Sequence, residues 1–164
     1  MPEVIFDCCV LSNFALSDSM FIINKLYASS SFIAPFVYAE ILRGIQRGQD
    51  KLGGIRNALK EGRIQEISFS SEEERTLFES LSVSLGLGEA SGIAAAKTRG
   101  LVFACDDKAA RKEAVLLDVK LTGTLGILKK AVNAKHLRLK EADRILKRMT
   151  AQGFYSPVAS LSEI

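Results

Sequence analysis

The apolar positions of this chain fall into two alternating patterns. Short runs, Val4-Ile5-Phe6, Ser31-Phe32-Ile33-Ala34 and Leu101-Val102-Phe103-Ala104-Cys105, are separated by longer amphipathic stretches. Short apolar runs suit buried strands, and longer stretches with apolar residues every three or four positions suit helices packed over them. Strands are predicted over these runs, over Ile64 to Phe69, where polar and apolar residues alternate, and over Leu121-Thr122-Gly123. A helix is predicted over Ser19 to Tyr27. Pro35, whose fixed φ suits a helix start, predicts another from Phe36 past Arg43, broken near Gly53-Gly54 before it resumes. Ser70 and Ser71, followed by Glu73 and Glu74, give two overlapping capping boxes for a helix through Leu85. Gly86 and Gly88 predict a sharp turn, and Glu89 opens an alanine-rich helix, Ala90 to Lys97, that Gly100 closes. Asp106-Asp107 precede a helix over Lys108 to Leu117, and the remainder reads as helical to about Gln152. Strands alternating with helices in this order predict an α/β fold with a mainly parallel central sheet.

Composition narrows the class. With 48% hydrophobic and 25% charged residues over 164 positions, the chain is a globular protein able to bury a core without staples. No repeat, low-complexity tract or linker divides it, so residues 1–164 are expected to form one domain. Its C-terminal part, at about 124–152, is helical and basic. Cys8, Cys9 and Cys105 are odd in number and form no C-x-x-C pair, which fits a reducing compartment. The start of the chain lacks the pattern of a signal peptide, and the longest uncharged stretch, Leu26 to Ala39, is interrupted by Pro35 and serines. A cytoplasmic protein without a membrane partner is the expectation.

Charge is unevenly distributed. The formal net charge is +3, yet Lys129 to Arg148 holds eight basic residues against Glu141 and Asp143, a local +6. The rest, with 14 basic and 17 acidic residues, carries −3. The basic run is either a solvated helix face or a surface that tracks a polyphosphate backbone.

The acidic body contains the candidate chemistry. Ligands of parallel α/β sheets bind beyond the carboxyl ends of the strands, and Asp7 and the Asp106-Asp107 pair directly follow two predicted strands. For Asp106 and Asp107, helix capping is the competing role. Asp7 is harder to explain structurally, because a carboxylate between Val4-Ile5-Phe6 and Cys8-Cys9-Val10-Leu11 is costly unless it is paired or bound to a cation. Glu40 sits on the edge of the apolar stripe formed by Val37, Ile41 and Ile45, and Glu89 shares a face with Ile93 and Ala96. A solvated flank position and a favourable first-turn acid are the respective alternatives. Carboxylates gathered at one mouth repel one another unless a divalent cation neutralises them, and hard oxygen donors suit Mg²⁺ or Mn²⁺. Metal-assisted phosphodiester hydrolysis is the reaction class such a cluster would serve.

Taken in order, Val-Ile-Phe-Asp7 with Leu11-Ser12-Asn13-Phe14, Glu40, Gly88-Glu89-Ala90 and Asp106-Asp107-Lys-Ala-Ala-Arg111 resemble a PIN domain. Thr122-Gly123-Thr124-Leu125-Gly126-Ile127-Leu128 and Gly153-Phe154-Tyr155 are similar to a prokaryotic branch related to VapC-type toxins. The resemblance covers nearly the whole chain. It implies a Rossmann-like three-layer α/β/α sandwich and a Mg²⁺- or Mn²⁺-dependent endoribonuclease. It implies Asp7, Glu40, Glu89 and Asp106 as catalytic metal-binding acids, with Asp107 as the register alternative to Asp106. RNA is the implied substrate, and an antitoxin protein and a homodimer are implied partners. One departure is the Cys8-Cys9 pair, where many members have Ser, Thr or Asn. A thiol is a poorer hydrogen-bond partner than a hydroxyl.

Other residues have competing readings. Arg111 and Asn13 are candidate substrate contacts, and for Arg111 an i, i+4 ion pair with Asp107 is the alternative. Cysteine catalysis would need a base near Cys8 or Cys105. The single histidine, His136, lies in the distant basic segment as an expected exposed helical residue, so the cysteines read as small buried hydrophobes. Two rivals to the nuclease stand: a catalytically silent PIN-like module that binds nucleic acid or protein, and a Rossmann-like phosphatase or receiver domain using Asp7.

Overall fold

The computed structural model describes residues 2–164. The chain runs β1 (Val4–Phe6), α1 (Cys8–Leu16), α2 (Met20–Tyr27), β2 (Ser31–Ile33), α3 (Val37–Gln46), α4 (Gly53–Lys60) and β3 (Gln65–Glu66). It continues through α5 (Glu72–Leu81), α6 (Leu87–Arg99), β4 (Val102–Ala104), α7 (Lys108–Leu116), β5 (Leu121–Thr122), α8 (Thr124–Asn133) and α9 (Leu139–Ala151). Short 3₁₀ turns at Asp50–Leu52 and Leu161–Glu163 complete it. The five strands form one all-parallel sheet in the order β3-β2-β1-β4-β5.

β1 lies in the middle, with Val4 opposite both Ser31 and Val102, and Phe6 opposite Ile33 and Ala104. Val4, Ile5 and Phe6 are all buried, which is why this strand reads as an unbroken apolar run. Helices cover the sheet in two groups. α1 packs with α2, α3, α4, α8 and α9, while α6 lies on β1 and β4 and contacts α5 and α7. The result is the expected α/β sandwich. Among the described residues no helix is long and apolar enough to cross a membrane.

Several boundaries differ from expectation for identifiable reasons. α1 starts immediately after Asp7, where the run Cys8-Cys9-Val10-Leu11 shows no helical period. It buries Val10, Leu11, Phe14 and Ala15 along one side. The helix after Pro35 breaks at Arg47 to Gln49 rather than at Gly53-Gly54, and those glycines begin α4 instead. The strand predicted over Ile64 to Phe69 shrinks to Gln65–Glu66 at the sheet edge, where only one neighbour pairs with it. The helix predicted through Leu85 ends at Leu81. Gly88 lies inside the first turn of α6 rather than in the turn before it, and the C-terminal helical stretch is split between α8 and α9. His136 is exposed, but it sits in that break and not on a helix.

Of the two overlapping boxes only the Ser71 cap forms, and Glu74 reaches back to the Ser70 amide rather than to that of Ser71. Ser71 Oγ accepts the Glu74 amide at 3.1 Å, and the Ser70 amide donates to Glu74 Oε2 at 2.7 Å. Glu74 is fully buried and ties α5 to α6. Arg99 donates to both of its oxygens, at 2.8 and 2.9 Å, and the Thr98 hydroxyl donates at 3.2 Å. Burial alone would raise the Glu74 carboxyl. The Arg99 guanidinium and the Ser70 amide outweigh it and hold the carboxyl below its usual range.

Candidate functional site

The sheet order reverses direction around β1, so the crevice between the carboxyl ends of β1 and β4 is the position where such sheets bind ligands. Backbone hydrogen bonds draw those ends together. The Asp7 amide donates to the Ala104 carbonyl at 2.9 Å, and the Cys105 amide donates to the Thr122 carbonyl at 3.1 Å. A cleft of about 540 Å³ opens there, lined by Asp7, Cys8, Cys9, Ser12, Asn13, Glu40, Gly86, Glu89 and Asp107. Four carboxylates line it and, among the described residues, no Lys, Arg or His.

Each acid arrives by a different local device. Asp7 ends β1 and is 4% exposed. Its Oδ2 accepts a hydrogen bond from the Cys9 thiol at 2.7 Å. Glu40 stands in the first turn of α3, which the chain enters through Phe36 at a left-handed φ of 78°. That conformation is unusual for a non-glycine residue. It is supported by Phe36 stacking on Phe78 at 5.5 Å and by the Ser91 hydroxyl donating to the Pro35 carbonyl at 2.8 Å. Glu89 lies in the first turn of α6, with Oε2 accepting the Gly86 amide at 3.3 Å. Asp107 caps α7 through Oδ1, which accepts the Ala110 amide at 2.9 Å, and also lines the cleft. Capping and cleft placement are therefore compatible roles of one side chain.

Asp106 turns elsewhere. Its Oδ1 accepts the Thr124 amide at 2.9 Å, while its Oδ2 accepts the Thr124 hydroxyl at 2.6 Å and Asn13 Nδ2 at 3.3 Å. Asn13 Nδ2 also donates to Thr124 Oγ1 at 3.0 Å. Asp106 thus clamps the start of α8 and orients Asn13, and Asp107 is the member of the pair that joins the other three carboxylates. Arg111 makes no ion pair with Asp107 among the described residues. Its Nη1 donates to the carbonyls of Cys105 at 2.7 Å and Thr122 at 3.0 Å, joining the ends of β4 and β5.

Two glycines make room for this arrangement. A Cβ on Gly88 would lie 2.9 Å from Glu40 Oε1, and one on Gly123 would lie 2.6 Å from Asp106 Oδ1. Gly88 is expected in a turn and instead yields its side-chain space to Glu40, and Thr124 is a partner of Asp106 that no motif announces. A Gly-Thr pair leaving a strand into a helix marks its place but not its partner.

The electrostatics follow from crowding. Burial, and then the charge of Asp107, push the Asp7 carboxyl up, against the Cys9 thiol and the nearby amides of Cys8 and Cys9. Burial and then Asp7 raise Glu40, with the Cys8 thiol and Arg43 opposing. Burial, Asp7 and Asp107 raise Glu89. Burial likewise pushes the Cys8 thiol up to about 12. Asp7 is a buried acid with no cationic partner among the described residues, so the donor set fits a hard divalent cation that would relieve both repulsion and desolvation.

Beside the cleft, a groove of about 600 Å³ is lined by Asp106, Lys108, Arg111, Thr122, Phe154 and Tyr155, among others. Tyr155 is largely exposed. Half of the basic run has partners within the chain, although Arg138 and Arg148 are themselves exposed. Lys129 donates to the Leu161 carbonyl, Lys130 sits 4.7 Å over the Tyr27 ring, Arg148 donates to the Ser17 carbonyl, and Arg138 pairs with Glu141. Lys135, Lys140, Arg144 and Lys147 are exposed.

A family model described as a PIN domain matches residues 3–164 of the chain. No curated protein and no solved structure matches it significantly.

Proposed function

Because the chain belongs to the PIN-domain family, we propose that it is an endoribonuclease dependent on Mg²⁺ or Mn²⁺. The observation that carries this reading is the convergence of Asp7, Glu40, Glu89 and Asp107 on one cleft whose lining, among the described residues, contains no cationic side chain. These four carboxylates would hold the cation. When bound, a divalent ion supplies Lewis-acid polarisation of the scissile phosphate and eases ionisation of water. Glu40 and Glu89 are half-buried, and a cation beside them would offset the burial and the neighbouring charges that raise their carboxyl groups. Asp106 and Thr124 orient Asn13 toward the cleft, and Arg111 ties the carbonyl of Cys105, just before both aspartates, to that of Thr122 at the end of β5.

RNA enters this reading through the neighbouring groove. Lys108 offers charge to the backbone, and Tyr155 offers a face on which a base can stack. The exposed Lys140, Arg144 and Lys147 extend the electrostatic attraction. Arg111 acts as a positioning residue, since its Nη1 is occupied by two carbonyls.

The test is cleavage of structured RNA by the purified protein with Mn²⁺, with EDTA, and beside Asp7→Asn. Cleavage is expected only for the native protein with metal. Its absence under every condition would overturn the enzyme reading in favour of a silent binding module. Hydrolysis of small phosphoesters alone would favour a phosphatase. The resemblance to VapC-type toxins extends the proposal to a toxin–antitoxin pair. Growth arrest on expression, relieved by a neighbouring gene's product, is expected, and normal growth at high expression would count against it.

A further inference from the structure

Two thiols that the carboxylate cluster does not use stand next to Asp7: Cys9, which lines the cleft, and the buried Cys105. One oxygen of Asp7, Cys9 Sγ and Cys105 Sγ all lie within 4.8 Å of one another. We propose that these three groups form a site for a thiophilic divalent cation of the Zn²⁺ class. The proposal goes beyond the nuclease reading and stands without it.

The geometry suits such an ion. In a tetrahedral site with metal–sulfur bonds of about 2.3 Å and metal–oxygen bonds of about 2.1 Å, ligand atoms lie about 3.6–3.8 Å apart. The Cys9 thiol now sits 2.7 Å from Asp7 Oδ2, held by its own proton. Loss of that proton to an incoming cation would let the pair open by about 1 Å to the coordinating distance. The three groups stand on firm elements: Asp7 ends β1, Cys9 lies in the first turn of α1, and Cys105 follows β4. Asp7 and Cys105 are buried, whereas Cys9 reaches solvent and gives the ion a way in.

Donor softness separates this site from the hard-cation cluster. Two thiolates and one carboxylate favour Zn²⁺, Co²⁺ or Cd²⁺ over Mg²⁺ and Mn²⁺. Binding forms two metal–sulfur bonds and one metal–oxygen bond and releases the two thiol protons to solvent, with no electron transfer. Asp7 belongs to both donor sets.

The experiment is an anaerobic Co²⁺ titration of the reduced, metal-free full-length protein, read by absorption. A tetrahedral Co²⁺–thiolate site gives a thiolate-to-metal charge-transfer band, and added Zn²⁺ should abolish it. Cys9→Ser and Cys105→Ser should each remove most of the band and weaken Co²⁺ binding by on the order of a hundredfold, since losing a direct ligand costs at least as much as losing an outer partner. Cys8→Ser, whose thiol instead faces Ser12 at 3.7 Å, should keep the band. If the buried Cys105→Ser variant does not fold, the exposed Cys9→Ser variant still decides the matter. A native protein that shows no thiolate band, a band that survives Cys9→Ser, or a Cys9–Cys105 disulfide that persists under reductant would each overturn the proposal. No RNA is present, so failure here is distinguishable from failure of the nuclease reading.

Discussion

Gly88→Ala separates the stability of this protein from the geometry of its carboxylate cluster. Gly88 lies in the first turn of α6, and an added Cβ would stand 2.9, 3.2 and 3.3 Å from Oε1, Oε2 and Cδ of Glu40. The Glu40 carboxylate must therefore retreat by about half an ångström, near the tolerance within which a working site is held. The carboxylate is the free end of a flexible side chain, so the retreat costs the fold little. Alanine also favours a helix over glycine by about 0.5–1 kcal/mol. The metal-free variant should accordingly melt at or slightly above the native temperature. Its Mn²⁺ affinity should fall about tenfold, about 1.4 kcal/mol. Its RNA hydrolysis should fall further, because misplacement by about 1 Å can cost on the order of a hundredfold. Thermal melting, Mn²⁺ titration by calorimetry and single-turnover cleavage measure the three quantities. Gly53→Ala at the start of α4, where the added Cβ would meet only Arg56 Nη2 at 3.9 Å, should share the small gain in melting temperature and leave Mn²⁺ affinity and RNA hydrolysis unchanged. Native Mn²⁺ affinity and activity in folded Gly88→Ala would refute a metal-binding role for Glu40. A loss of several kcal/mol in stability would refute the claim that the contact is local and yielding.

Other perturbations probe other parts of the account. Asp7→Asn removes a buried charge that has no cationic partner among the described residues, so the metal-free variant should melt higher than the native protein while losing Mn²⁺ binding; a lower melting temperature would contradict the desolvation argument. Glu74→Gln leaves Arg99 facing a neutral amide and should destabilise by about 3 kcal/mol, at the lower end for breaking a buried pair because Arg99 is partly exposed. The native Glu74 carboxyl is lowered, so its contribution is complete above the ordinary value of 4.5 and is lost as pH falls through the native value. The gap between native and Glu74→Gln melting temperatures should close on acidification, and a gap independent of pH would exclude the ion pair as its source. Changing Lys140, Arg144 and Lys147 to Gln should weaken RNA binding and make its dependence on log salt shallower by about 2, as expected for three lost phosphate contacts on single-stranded RNA; an unchanged slope would remove the basic end from the RNA surface. Tyr155→Ala should weaken RNA binding by about 1 kcal/mol or more, measured by fluorescence anisotropy, if a base stacks there.

Much of the sheet is legible in the sequence because β1 and β4 are nearly sealed on both faces, and that leaves unbroken apolar runs such as Val4-Ile5-Phe6. The caps of α5 and α7 are legible for a similar reason, since Ser71 and Asp107 bond amides only three residues away. α1 escapes notice because its first four residues are all apolar or sulfur-bearing, so no polar face marks a period. β3 is overestimated because alternation over Ile64 to Phe69 says nothing of how long a neighbour pairs with it. The choice between Asp106 and Asp107 has no local solution. It depends on Thr124, eighteen positions away in sequence, whose amide and hydroxyl capture Asp106 and leave Asp107 to the cleft. Gly88 and Glu40 pose the same difficulty, because a missing side chain is explained only by the carboxylate that fills its space.

The most direct test of the central claim is the chemistry of the cleaved ends. RNA cut in solvent labelled with heavy oxygen should carry the label in a terminal phosphate monoester, since water is the nucleophile in metal-assisted hydrolysis. The reaction should require Mg²⁺ or Mn²⁺, stop with EDTA, and be absent in folded Asp7→Asn. Cyclic phosphate ends without label, or labelled ends still produced by Asp7→Asn, would contradict the account.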